Sequence, residues 1–198
     1  MASEKVGIAI RFRELVRPVG SLTTESIKMM SLVQANIHLL KQAERLITAI
    51  ADADYAARDR TLYGSSLGQH LRHCLDHYTS FLKGLPESAI DYDYRARVEA
   101  LECSTECAVD QIKRLRGDLE DTQMLEMTTK VRVKMDCGEG EGQWHASTLG
   151  RELQFLVSHT VHHFAMINGM CSHRGLEMEE GFGLAPSTIR HRELMNID

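Results

Sequence analysis

The chain has 198 residues, the size of one domain with a substantial core, and its 23 Lys plus Arg against 28 Asp plus Glu leave a formal charge of -5. That balance excludes the basic footprint of a nucleic-acid binder. At 43% hydrophobic and 26% charged, with 3 Pro and 14 Gly, the composition is globular, neither disordered nor collagen-like; histidine, at 10 residues, is the excess.

Met1 to Leu15 has an apolar patch only from Val6 to Ile10, followed at once by Arg11 and Arg13, so it does not read as a signal peptide. No stretch approaches the roughly 18 uninterrupted apolar residues of a membrane span. Cys74, Cys103, Cys107, Cys137 and Cys171 are odd in number and contain no CxxC pair, which fits reduced thiols. The expectation is a soluble, cytoplasmic chain with no membrane partner and no nucleic-acid partner.

Pro18 and Gly20 precede a first predicted helix from about Ser21 to Ala51, with Ile27, Met30, Val33, Ile37, Leu40, Ile47 and Ile50 recurring at threes and fours. After a charged stretch from Asp52 to Gly64, Ser66 and Gln69 have capping-box spacing and open a second helix. Its stripe is Leu67, Leu71, Cys74, Tyr78 and Phe81, and it stops near Gly84 and Pro86. A third helix is predicted from about Asp91 to Leu119 on Val98, Leu101, Thr105, Val109 and Ile112, with Glu102 inside the stripe.

Between Met127 and Met135 the period changes to two, and Gly138, Gly140 and Gly142 follow before Trp144, which predicts a β-hairpin. A fourth helix from about Thr148 to Ser172 carries Leu149, Leu153, Leu156, Thr160, Ile167 and Cys171. The glycines and Pro186 of the tail read as a loop. The expected architecture is an all-α four-helix bundle, a single domain over residues 1–198. Its helices lie within about 21–172, a short hairpin joins helices three and four, and 173–198 form a loop tail.

Six histidines fall on two of these helices: His70, His73 and His77 on the second, His159, His162 and His163 on the fourth. Residues four apart stack on one helix face, so His159 and His163 can aim two imidazoles at one point. They lie beside the apolar stripe, whereas His162 falls further round and should be exposed. Glu152, two turns before His159 on the same edge, can orient a ligand's other ring nitrogen or act on bound water. On the second helix, His70 and His77 lie nearest the stripe and His73 further round, and each is open as a third ligand.

Other features read more plainly. Cys103 and Cys107 are small core or surface residues, and Glu102 is a carboxylate at the edge of the core. The run from Glu139 to Glu141 lacks the Gly-Lys-Ser/Thr ending of a phosphate loop. Cys74, on the apolar stripe, reads as an inert buried thiol.

With Leu-Gly-Gln-His-Leu-Arg-His-Cys-Leu-Asp-His-Tyr on the second helix and His159-x-x-x-His163 on the fourth, residues Ser21 to Ser172 resemble the DinB-like (YfiT-type) metal-binding four-helix bundles. The resemblance implies a divalent metal, commonly zinc or nickel, held by one histidine of the second helix and two of the fourth. Matched residue by residue these are His73, His159 and His163, with His77 or His70 as the alternative third ligand. It also implies a small-molecule substrate, with thiol S-transfer from a low-molecular-weight thiol as the leading reaction, and a homodimer. Three neutral imidazoles leave a position open on zinc, nickel or iron(II), where a thiol is held as thiolate or water as hydroxide. A metal-dependent hydrolase, and a helical bundle without chemistry whose histidines support the fold or a dimer, are the alternatives.

Overall fold

The computed structural model describes residues 31–195, apart from 61, 63, 137 and 139–141. Helix α1, Leu32–Thr48, starts where the Ser31 hydroxyl accepts the Gln34 amide, and the predicted helix before residue 31 lies outside the described residues. The charged stretch that follows contains one short helix, α2, Asp52–Ala56. Helix α3, Leu67–Gly84, opens on the expected capping box, with the Ser66 hydroxyl and the Gln69 side chain each accepting the other's backbone N–H at 3.1 Å. It stops at Gly84, where a Cβ would fall 2.5 Å from the Ala89 carbonyl oxygen as the chain turns back.

The third predicted helix is corrected by the structure. Its first residues form strand β1, Ala89–Asp91, and 92–99 are irregular; the helical part is broken into α4, Ala100–Cys103, and α5, Thr105–Asp121. Two causes are visible. Ser104 takes an extended conformation (φ -120°, ψ 118°) and its hydroxyl caps α5 through the Cys107 amide, so a local side-chain bond competes with helix continuation. β1 forms by pairing with a strand some 40 residues later, Ala89 to Asp91 lying parallel to Arg132 to Lys134, a partnership that local periodicity does not encode. Val98, placed on the stripe by periodicity, is 46% exposed; the buried face of α5 is Ala108, Ile112, Leu115 and Leu119.

The expected hairpin forms from β2, Lys130–Lys134, and β3, Trp144–Thr148, antiparallel from the Lys130–Thr148 pair to the Lys134–Trp144 pair. With β1 it makes a three-stranded sheet in the order β1-β2-β3. β3 runs directly into α6, Leu149–His173, whose first turn is capped by the Thr148 hydroxyl accepting the Arg151 amide. The tail is not loop throughout. It contains α7, Pro186–Met195, which buries no side chain and so adds nothing to the core. Ahead of it Phe182 stacks on Phe164 with ring centroids 4.6 Å apart. Gly183 permits this approach: its φ is +75° and a Cβ there would lie 2.8 Å from the Phe164 carbonyl oxygen.

The fold is thus mostly helical with a small sheet. α1 packs on α5 and α6, and α3 packs on the same two helices. Ile37, Leu40, Leu75, Phe81, Ile112, Leu119, Leu153 and Leu156 are buried between them. Inside this apolar packing runs one polar chain: the Thr160 hydroxyl donates to the Tyr78 oxygen at 3.1 Å, and the Tyr78 hydroxyl donates to Asn36 Oδ1 at 2.9 Å. The Asn36 amide nitrogen donates in turn to the Leu32 and Leu153 carbonyls at 2.8 and 3.1 Å. It ties α1, α3 and α6 in register. No described helix is long and apolar enough to cross a membrane.

Candidate metal centre

Tyr78 and Thr160 belong to the buried chain; their neighbours His77 and His159 do not. One residue along a helix turns the side chain by about 100°, and here that step leads from the core to a cleft between α3 and α6 filled with imidazoles. The ring centroid of His73 lies 4.6 Å from that of His77, 5.0 Å from His159 and 4.7 Å from His163. His159 is 4.1 Å from His77 and 4.7 Å from His163. His70 adjoins His163 at 5.3 Å. A ligand atom from each of His73, His77 and His159 can be chosen so that all three lie within 4.8 Å of one another. That spacing suits donors that a single ion could draw together.

Hydrogen bonds decide which ring nitrogens present lone pairs. The Nδ1 of His77 lies 2.8 Å from the His73 carbonyl oxygen, which can only accept, so Nδ1 carries the proton and Nε2 the lone pair. The Nε2 of His159 is buried and has no hydrogen-bond partner among the described residues. His163 Nδ1 lies 3.0 Å from His70 Nδ1, and His70 Nε2 lies 2.7 Å from the Ser65 hydroxyl. If His163 donates to His70 and His70 donates to Ser65, each bond is satisfied and His163 Nε2 keeps a lone pair. That relay is the outer-shell arrangement that fixes a ligating histidine's tautomer.

The rings are held neutral. Burial, followed by repulsion from His77, His163, His159 and Arg95, lowers the pKa of His73 from the ordinary histidine value to about 2. Burial and then His77, His163, His162 and Arg95 lower His159 to about 3, and burial with His70, His162 and His77 lowers His163 to about 4. His70 and His77 are lowered as well, burial again leading. A group of uncharged imidazoles with an unpaired buried nitrogen is a donor set that fits a borderline cation such as zinc or nickel.

The wheel reading of α3 holds in burial: His70 and His77 are buried and His73 is half-buried. Yet the packing of α3 against α6 puts His73 at the middle of the cluster. His162 is exposed, as expected. Glu152 is buried, but its carboxylate is engaged by the Tyr92 hydroxyl at 2.9 Å and the Ser147 hydroxyl at 2.5 Å. It joins α6 to β3 and to the residue after β1, and Tyr92 in turn stacks on His77 with centroids 5.5 Å apart. Burial, aided by Glu152, raises the Tyr92 pKa, so this hydroxyl stays protonated.

The other flagged residues lie elsewhere. Glu102 pairs with Arg72 at 2.8 Å, Cys103 and Cys107 are exposed, and Cys74 is a buried thiol whose pKa burial raises. Cys137 and Glu139 to Glu141 lie outside the described residues.

Sequence reasoning did not single out Phe155, Tyr92, Asp93 or Arg95. Phe155 stacks on His159 at 5.5 Å and stands four residues before it, a spacing that signals a shared face. The other three lie in or beside the irregular 92–99 segment, where no periodicity announces them. Arg95 Nη1 donates to His73 Nδ1 at 3.1 Å, while Arg95 Nε and Asp93 Oδ2 are buried without partners among the described residues.

Fold and site together define a mostly helical protein with a histidine group able to bind a metal. The chain belongs to the DinB superfamily, which it matches over residues 37–167, a span that contains all five clustered histidines. It is also 30% identical over 115 residues to FK506-binding protein 5 of Rhizopus delemar, a match that covers 55% of this chain. The same match covers 30% of that protein's length.

Proposed function

We propose that this DinB-superfamily chain is a metal-dependent enzyme built on a four-helix bundle, with an open tri-histidine site that serves S-transfer from a low-molecular-weight thiol. The observation that carries the metal reading is His159 Nε2, buried and unpartnered among the described residues, on a residue that with His73 and His77 offers ligand atoms within 4.8 Å of one another. His73 and His159 belong both to the triad that the resemblance implies and to the group of His73, His77 and His159, whose ligand atoms lie within 4.8 Å of one another. The third member is His163, held by the His70 relay, or His77, held by the His73 carbonyl.

These imidazoles would hold a divalent metal, zinc or nickel with iron(II) also suited, and its charge would favour the deprotonated form of a thiol bound beside it. The protein's own contributions are legible. α3 and α6 hold the imidazoles neutral and fixed, and the relay through His70 keeps His163 in one tautomer. Phe155 and Tyr92 wall the cluster on the His77 and His159 side. In the transfer itself a bond would form between the thiol's sulfur and the electrophilic carbon, the leaving group would depart with its electron pair, and the thiol proton would pass to solvent.

Hydrolysis is the second reading. It calls on Glu152 as base, and the two hydroxyls that occupy that carboxylate argue against it. Metal analysis of untagged protein should show stoichiometric metal, lost in His159→Ala combined with His163→Ala; metal-free wild-type protein would end the enzyme reading. Turnover of an electrophile should depend on added thiol, and a rate indifferent to thiol would assign hydrolysis.

A further inference from the structure

Buried side-chain nitrogens and oxygens without partners are few among the described residues, and three of the four lie around one place: His159 Nε2, Arg95 Nε and Asp93 Oδ2. The fourth, on Arg116, is remote, since that guanidinium pairs with Glu44. Arg95 is held near the imidazoles by the chain itself. The Asp91 carboxylate accepts the Asp93 and Tyr94 amides at 2.9 and 3.1 Å, and the Arg95 amide bonds the Asp93 carbonyl at 3.0 Å. No ion pair of 4.0 Å or less joins Arg95 to a carboxylate among the described residues, although Asp93 is two positions away. Its one side-chain bond goes to His73.

That bond has a consequence in lone pairs. A neutral imidazole has one, and a donor at Nδ1 places it there, leaving the proton on Nε2. In this arrangement His73 offers a cation nothing at Nε2, and at Nδ1 only what Arg95 already uses. Ligation by His73 and donation by Arg95 are therefore mutually exclusive.

We propose that Arg95 is the anion-recognition residue of the histidine site. It donates to the single lone pair of His73 in the metal-free protein, and once that lone pair is spent on a metal its guanidinium serves the carboxylate of a ligand bound alongside. The ligand class is a carboxylate-bearing thiol, because a guanidinium matches a planar carboxylate in bidentate geometry. This rests on the metal reading above and adds to it a determinant of ligand choice.

The test uses the full chain loaded with cobalt(II), titrated with mercaptoacetate and with 2-mercaptoethanol and followed by the thiolate-to-cobalt absorption. Wild-type protein should prefer mercaptoacetate, and Arg95→Met should lose about tenfold of that preference, the scale of one hydrogen bond to a charged group. Chelation by mercaptoacetate is common to both proteins and cancels in the comparison. Cobalt affinity should be equal or higher in Arg95→Met, the competing donor being gone. Where the methionine variant does not fold, Arg95→Gln answers the same question.

The same preference in wild type and variant, or weaker cobalt binding in the variant, overturns the proposal and leaves the metal reading standing. A wild-type chain that takes up no cobalt overturns both.

Discussion

Two polar groups sit side by side between α3 and α6, and they differ in one respect. In the chain Thr160–Tyr78–Asn36, the side-chain hydroxyls and amide are tied to one another or to backbone carbonyls. In the histidine cluster, one residue away on each helix, a buried imidazole nitrogen lacks a partner, as do a guanidinium nitrogen and a carboxylate oxygen of the 92–99 segment, among the described residues. A buried polar group left unpaired costs about 1–3 kcal/mol, so the first arrangement serves the fold and the second is a standing expense that the fold alone does not explain. Satisfaction of hydrogen bonds, more than burial or residue type, separates architecture from site here.

The sharpest way to break this contrast is to remove one member of each group. His159→Ala should lower metal affinity at least a hundredfold, about 2.7 kcal/mol or more, yet leave the melting temperature of metal-free protein unchanged or raised, since an unpartnered buried nitrogen is removed with the ring. A metal-free protein that melts markedly lower would return His159 to the structural side.

Asn36→Ala should do the opposite. Loss of its three side-chain hydrogen bonds in a fully buried position should destabilise by about 2–3 kcal/mol in chemical denaturation, with metal stoichiometry intact. Metal loss in a folded Asn36→Ala protein would show that the two groups act as one.

His70→Phe tests the relay within the cluster. It keeps an aromatic ring at the position, somewhat larger than the imidazole, and removes the acceptor for His163 Nδ1, so metal affinity should fall about tenfold, as for an outer-shell partner. If His77→Ala costs far more affinity than His163→Ala, the third ligand is His77 and the relay should then have almost no effect.

The smallest effect is on pH. Folding lowers the histidine values, to about 2, 3 and 4 for His73, His159 and His163, so below the unfolded value near 6.5 the unfolded chain binds more protons than the native one. Metal-free protein should therefore lose stability as pH falls through 6.5 and go on losing it toward those folded values. With the rings half-exposed and screening allowed for, the loss between pH 7 and 5.5 should be on the order of 1 kcal/mol. The His159→Ala protein should show a shallower decline; an unchanged slope would mean that His159 does not contribute.

Much of this is legible in the sequence, because it is written in near neighbours along the chain. Apolar residues at threes and fours placed α1, α3 and α6, the Ser66 and Gln69 pair placed the start of α3, and alternation placed the β2–β3 hairpin. The spacing of His159 and His163 put two imidazoles on one face for the same reason. The broken third helix was not legible, since Ser104 acts through one side-chain bond and β1 exists only by pairing with β2. Nor was the Asn36–Tyr78–Thr160 chain, whose members come from three helices.

What the sequence determined by itself, then, is the set of helices and the faces on which the histidines stand, because helix geometry converts spacing into direction. Only the tertiary structure decided how those faces meet. Packing of α3 against α6 brought His73, off the apolar stripe, to the middle of the cluster and set His70 behind His163. It also brought Arg95, from a segment with no periodicity at all, to the nitrogen of His73. Contacts between residues distant in the chain depend on the angles and separations of packed elements, and no local pattern carries those.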